Sequence, residues 1–132
     1  MVSRYESIDT NILLRMMIND NRAQRKKVVE LLLGGPTFYV DKVVIIEAVY
    51  VMTKEGYARD EIIDKLEAFL DNIMIRYDVE FFETVFRDYV THPSLSFEDL
   101  VIAKQVEENG MEPLWTFDRK FANQSEVAKL LD

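Results

Sequence analysis

The sequence predicts an α/β fold, a three-layer α/β/α sandwich with a short, mainly parallel central sheet. Short strand-like runs alternate with helices of ten or more residues, which is typical of a parallel sheet covered on both faces. The 132 residues are 48% apolar and 30% charged, enough for a globular domain with a hydrophobic core. No linker, repeat or low-complexity stretch divides the chain. We therefore expect one domain over residues 1–132.

Five helices are predicted from caps, apolar periodicity and terminating residues. Asp20 or Asn21 caps the first helix, which ends at Gly34. The second begins near Asp41 and ends at Gly56. The third begins near Asp60, the fourth covers residues 81–90 before His92 and Pro93, and the fifth covers residues 96–109.

Five strand-like runs complete the alternation: residues 5–9, 37–40, 74–79 and 113–117, and an edge at residues 129–131. The first run is weak because it is unusually polar. In open parallel sheets, ligands bind at the carboxyl ends of strands. We therefore expect functional residues at the ends of the first and fourth runs.

The composition excludes several classes of site. There is no cysteine and only one histidine, which excludes disulfide frameworks, thiolate metal sites, cysteine nucleophiles and multi-histidine zinc sites. The four glycines are used as helix stops, so no glycine-rich nucleotide loop is available. The chain has 24 acidic and 16 basic residues, so carboxylates are the main groups available for catalysis or ligand binding. Neither a membrane-spanning run nor a signal peptide is recognisable, so we expect a cytoplasmic protein.

Asp9 and Asp118 end the first and fourth strand-like runs. If those strands are neighbours in the sheet, both carboxylates face one crevice. Taken alone, each residue is better explained as a turn or cap, because aspartate is common there.

Glu47 lies in the apolar helical run of residues 43–52, and its neighbours three and four positions away are all apolar. Such surroundings predict a partly desolvated carboxylate, which is costly unless it is paired or binds a metal. Alternatively, Glu47 lies at the edge of the buried stripe and reaches water, or it pairs with a lysine or arginine of the core.

Asp99 begins the fifth helix and has two interpretations. Ser96 with Asp99 reads as a capping box, in which the acid bonds back to the cap. Asp99 also precedes an apolar turn and could instead point over the edge of the sheet. Together, Asp9, Glu47, Asp99 and Asp118 would form an all-oxygen site for Mg²⁺ or Mn²⁺, suited to phosphodiester hydrolysis.

Basic residues concentrate near the first helix, at Arg15, Arg22, Arg25, Lys26 and Lys27. A solvated helix face explains this cluster most simply. The sharper hypothesis is a patch that follows a nucleic-acid backbone without sequence preference. His92, just before Pro93, is interpreted as a loop residue.

Four motifs in order resemble the PIN-domain family over essentially the whole chain. They are Ile8-Asp9-Thr10-Asn11, Ile46-Glu47-Ala48, the run from Phe97 through Asp99 to Ala103, and Thr116-Phe117-Asp118. The length resembles that of the small VapC-type toxins of toxin–antitoxin pairs. Because Glu98 and Asp99 are adjacent, either residue fits the position of the third acid. The register of the apolar residues that follow favours Asp99.

The resemblance implies a PIN-like fold and a Mg²⁺- or Mn²⁺-dependent ribonuclease. Asp9, Glu47, Asp99 and Asp118 would be the catalytic, metal-binding acids, with Asn11 and Thr116 as supporting polar residues. It also implies a homodimer and an antitoxin partner. The alternative is a catalytically inactive PIN-like module that binds RNA or protein.

Overall fold

The computed structural model describes residues 4–132. Residues 1–3, part of the N-terminal segment judged above not to be a signal peptide, lie outside the described residues. The chain divides into two compact units at Asp78. We call residues 4–78 the N-terminal unit and Val79–Asp132 the C-terminal unit.

The N-terminal unit is a parallel sheet with helical connections. Its three strands are β1 (Tyr5–Ser7), β2 (Thr37–Tyr39) and β3 (Ile75–Arg76), paired in the order β1-β2-β3. Its four helices are α1 (Thr10–Met17), α2 (Arg22–Leu32), α3 (Lys42–Lys54) and α4 (Arg59–Leu70). Parallel neighbours need long crossovers, and these helices supply them. The central strand β2 buries Phe38, and α1, α3 and α4 bury apolar stripes, whereas β1 is exposed along its length.

The C-terminal unit is mainly helical. It contains α5 (Val79–Thr91), α6 (Phe97–Glu108) and α7 (Arg119–Gln124), with the parallel strands β4 (Leu114–Thr116) and β5 (Ala128–Leu130). Aromatic rings form its core. Phe97 stacks near Phe82 and Phe86, with ring centroids 6.3 and 6.2 Å away, and meets Tyr89 edge-on at 5.3 Å.

The predicted α/β fold with a short parallel sheet is confirmed. All five predicted helices are present, as α2 to α6, with Asn21, Asp41 and Ser96 as caps. The helices α1 and α7 were not predicted, because eight and six residues give little periodicity to read. That one domain spans residues 1–132 stays a prediction.

Asp9 and Asp118 do not end strands, contrary to the prediction. The structure ends β1 at Ser7 and β4 at Thr116, and each aspartate caps the helix that follows. A carboxylate side chain satisfies backbone N–H groups at a helix start, which it cannot do inside a strand. Among residues 4–132, β1 pairs with β2 and β4 with β5, and the β1–β4 pairing that was the condition for a shared crevice is not present. No helix in this range is both long and apolar enough to cross a membrane.

Candidate metal centre

Asp9 is fixed at the start of α1 by one of its two carboxylate oxygens. Asp9 Oδ1 accepts a hydrogen bond from the Ile12 backbone N–H at 3.1 Å, as expected of an N-cap. Within the described residues, its other oxygen makes no hydrogen bond, and the side chain is exposed. Asp9 thus offers one oriented oxygen to a ligand.

Glu47 is exposed on α3, so the expected partial desolvation is wrong. The helix buries a stripe that includes Ile45, Ala48 and Val49. The apolar run of α3 contains more residues than this buried stripe. Two of the remaining apolar residues, Val43 and Tyr50, lie on the same side of the helix as Glu47 and are 58% and 52% exposed. The alternative interpretation, that Glu47 reaches water, is confirmed.

Thr10 connects the start of α1 to Glu47. The Thr10 hydroxyl donates a hydrogen bond to Glu47 Oε1 at 3.2 Å, between residues 37 positions apart. Since Thr10 directly follows Asp9, the structure brings the first two candidate acids to one side of the N-terminal unit. Sequence reasoning missed Thr10, although its place directly after the first acid was a usable signal.

Asp99 lies in the first turn of α6 and is half-buried, as is Glu98. Ser96 caps the helix, because its Oγ accepts from the Asp99 backbone N–H at 3.1 Å. The reciprocal bond of a capping box, from the Ser96 N–H to the Asp99 carboxylate, is not formed among residues 4–132. The cap therefore does not engage the Asp99 side chain.

Asp118 repeats the arrangement of Asp9. Its Oδ1 accepts from the Phe121 N–H at 3.2 Å and caps α7. Thr116 Oγ1 accepts from the Asp118 N–H at 3.0 Å, which holds the backbone that carries the acid. Asn11, the other predicted supporting residue, is exposed and makes no side-chain hydrogen bond within residues 4–132.

The donor chemistry suits a hard divalent cation. Asp9, Glu47 and Asp118 each use one oxygen in a protein hydrogen bond and keep the other for a ligand. Mg²⁺ and Mn²⁺ favour such carboxylate oxygens, and hydrogen-bonded ligands are already oriented. Across residues 4–132, no three acidic or histidine side chains form a cluster that could hold a metal ion. Convergence of all four acids stays a prediction.

The predicted basic patch is partly engaged within the protein. Arg15 pairs with Asp20 at 2.9 Å, and Arg25 Nη1 donates to the Met16 carbonyl at 3.0 Å. Arg22 and Lys26 are exposed one turn apart on α2, as is Lys27 beside them. Any contact of this helix with a phosphate backbone therefore falls chiefly to Arg22, Lys26 and Lys27.

The C-terminal unit contains a cavity of about 340 Å³ that includes His92 in its wall. His92 lies in a loop, as predicted, with Nδ1 3.0 Å from the Thr91 hydroxyl oxygen. Neither Asp99 nor Asp118 lines the cavity. The two candidate acids of this unit therefore do not form part of its wall.

Comparison with known proteins gives one finding. The family model described as the PIN domain matches residues 7–127, a stretch that includes all four candidate acids. Neither a curated protein nor a solved structure was found to match the chain.

Proposed function

The chain belongs to the PIN-domain family, and we propose that it is a Mg²⁺- or Mn²⁺-dependent endoribonuclease. PIN domains are generally metal-dependent nucleases. The observation that carries the proposal is a pair of hydrogen bonds, one that fixes Asp9 as the cap of α1 and one that joins the next residue, Thr10, to Glu47. These bonds hold two candidate acids with one ligand oxygen each, in the part of the chain that the family model matches.

The proposed reaction is in-line attack of water on a phosphodiester phosphorus, with cleavage of the bond to the leaving oxygen. A bound divalent cation would supply charge neutralisation and a more acidic water. Asp9, Glu47, Asp99 and Asp118 would hold that cation. Thr10 and Thr116 would limit the movement of Glu47 and Asp118, so that less reorganisation is needed when the substrate binds.

An RNA cleavage assay with a matched pair of variants tests this proposal. We expect cleavage with MnCl₂ or MgCl₂, no cleavage with EDTA, and a higher melting temperature in MnCl₂ because a cation binds the folded state. Asp9→Asn keeps the capping oxygen but removes the charge, so it should lose cleavage while remaining folded.

Asp41→Asn is the control for Asp9→Asn. Asp41 also caps a helix through Oδ1, which accepts from the Val43 N–H at 2.9 Å, but it is not a candidate ligand. It should cleave like the wild type. Cleavage by Asp9→Asn, or cleavage indifferent to EDTA, contradicts the proposal. Binding of RNA without cleavage under any metal condition supports the inactive binding module instead.

The finer proposal is a VapC-like toxin, active as a homodimer in the cytoplasm and inhibited by an antitoxin protein. The net charge of −8, which suits a basic partner segment, supports it. Induced expression in a bacterial host should arrest growth, whereas Asp9→Asn should not. Equal growth of the two strains contradicts a toxin role but leaves the nuclease proposal standing.

A further inference from the structure

We propose that Thr10 is a positioning residue that orients Glu47 for cation binding, an inference that rests on the proposed function. Its basis is the hydrogen bond from Thr10 Oγ1 to Glu47 Oε1 at 3.2 Å. Thr10 occupies the first helical position of α1, and Glu47 lies on α3. The bond leaves Oε2 of Glu47 as the oxygen presented to a ligand.

The donor is held more firmly than the acceptor. Asp9 caps the helix start at Thr10, and the following turn buries Leu13 and Leu14. Thr10 is also β-branched, which restricts its χ1 angle. Glu47, in contrast, is an exposed and flexible side chain that loses considerable rotamer freedom when it is fixed. The hydroxyl therefore restricts the carboxylate, and not the reverse.

The position of this bond favours a role in ligand binding over a role in stability. The helices α1 and α3 already pack against each other through buried side chains. A solvent-exposed hydrogen bond adds little to that packing, because water competes for both partners. Holding a carboxylate that binds a cation has a larger effect, since loss of such outer contacts typically weakens metal binding by about 10- to 100-fold.

The test is a Mn²⁺ titration of the intact protein without RNA, followed by the electron paramagnetic resonance signal of unbound Mn²⁺. Thr10→Val keeps the side-chain shape and removes the donor, and we expect Mn²⁺ affinity to fall about tenfold. Thr10→Ser restores the donor and should bind within about twofold of the wild type. Melting temperatures of the metal-free variants check that each is folded.

Two further variants separate positioning from a general structural effect. Thr53→Val is the matched control, since the Thr53 hydroxyl donates to the Val49 carbonyl at 2.8 Å within α3, and it should leave Mn²⁺ affinity unchanged. In a Glu47→Gln background, Thr10→Val should cause no additional loss, because the group that it orients has already been changed.

Unchanged Mn²⁺ affinity in Thr10→Val, or an equal further loss in the Glu47→Gln background, overturns the positioning role. If the wild type meanwhile binds Mn²⁺ and cleaves RNA, the proposed function survives that result. If the wild type neither binds Mn²⁺ nor cleaves RNA, the proposed function fails, and the role of Thr10 fails with it.

Discussion

The two units hold their candidate acids in different ways. In the N-terminal unit, Asp9 caps α1 and the next residue reaches Glu47 on another helix, 37 positions along the chain from Thr10. In the C-terminal unit, Asp99 and Asp118 each lie in the starting turn of a helix. The side-chain hydrogen bonds at those two turns span no more than three residues.

This difference separates long-range from local positioning. Glu47 is oriented by a contact between two elements, so its geometry depends on how α1 packs against α3. Asp118 is oriented because its own side chain caps α7, whereas Asp99 is placed by its position in the first turn of α6, where its backbone N–H bonds to Ser96. Their geometry therefore depends on whether α6 and α7 are firmly held by the core beneath them. Each arrangement has a different weak point, which mutation can expose.

The largest expected effect is on the core of the C-terminal unit. Phe97, 2% exposed, is the first residue of α6 and packs on Phe82, Phe86 and Tyr89. Phe97→Ala should lower the free energy of unfolding by about 3–5 kcal/mol and speed amide hydrogen exchange in α6. Phe117→Ala, at a residue 78% exposed, is the control and should cost less than about 0.5 kcal/mol. Equal effects in urea unfolding would contradict the dependence of α6 on its aromatic core.

The next effect concerns the acids of α6. Loss of an outer contact of a metal site costs about 10- to 100-fold, so loss of a direct ligand in Asp99→Asn should lower RNA cleavage by at least about 100-fold. Glu98→Gln is the adjacent control and should change cleavage by less than about twofold. Both variants keep the Ser96 cap, so neither should shift the melting temperature noticeably. The reverse pattern would assign the third acid to Glu98.

Local signals explain most of what the sequence predicted correctly. Asn21, Asp41 and Ser96 cap helices because their short polar side chains bond to backbone groups two or three residues away. The same rule explains Asp9 and Asp118 as caps, the simpler of the two interpretations. The strands before Asp9 and Asp118 were predicted too long, because no glycine or proline separates the end of either strand from the residue that caps the next helix.

The exposure of Glu47 and its bond with Thr10 could not be predicted in the same way. Apolar neighbours along the helix suggested burial, but exposure depends on which side of α3 faces the rest of the N-terminal unit. The partner of Arg25 was equally hidden, since its bond to the Met16 carbonyl depends on the packing of α1 against α2. These features belong to tertiary structure.

A smaller effect is expected for the basic helix of the N-terminal unit. The double variant Arg22→Glu, Lys26→Glu removes two exposed positive charges on α2. Each phosphate contact contributes about 0.7 to the slope of log affinity against log salt concentration for a single strand. We expect affinity to fall several-fold and the slope to fall by about 1.4, measured in Asp9→Asn protein so that RNA stays intact. Lys65→Glu with Lys129→Glu matches the charge change and should weaken binding less. Equal losses of RNA affinity in the two double variants would indicate that binding depends on the net charge of the protein and not on a local basic patch.

The smallest effect contrasts two glutamates of the N-terminal unit. Glu47 has a hydroxyl donor, whereas Glu67 on α4 lies one turn from Asp71 and Asp64. Partial desolvation, then the charges of Asp71 and Asp64, raise the pKa of the exposed Glu67 above its ordinary value of 4.5. The folded state thus binds this proton more tightly than the unfolded state. The associated stabilisation is complete below 4.5 and is lost as the pH rises through the raised pKa.

Glu67→Gln removes this titration and should therefore stabilise the protein at neutral pH. Relief of two like-charge helical pairs is worth up to about 0.5 kcal/mol, or about 1–2 °C in melting temperature. The gain over the wild type should disappear near about pH 3.5, where Glu67 is protonated in both states. In an Asp71→Asn background the gain at neutral pH should shrink, because one repulsive neighbour is already gone. A gain of the same size at both pH values would show that side-chain packing, and not charge, distinguishes Glu67 from Glu47.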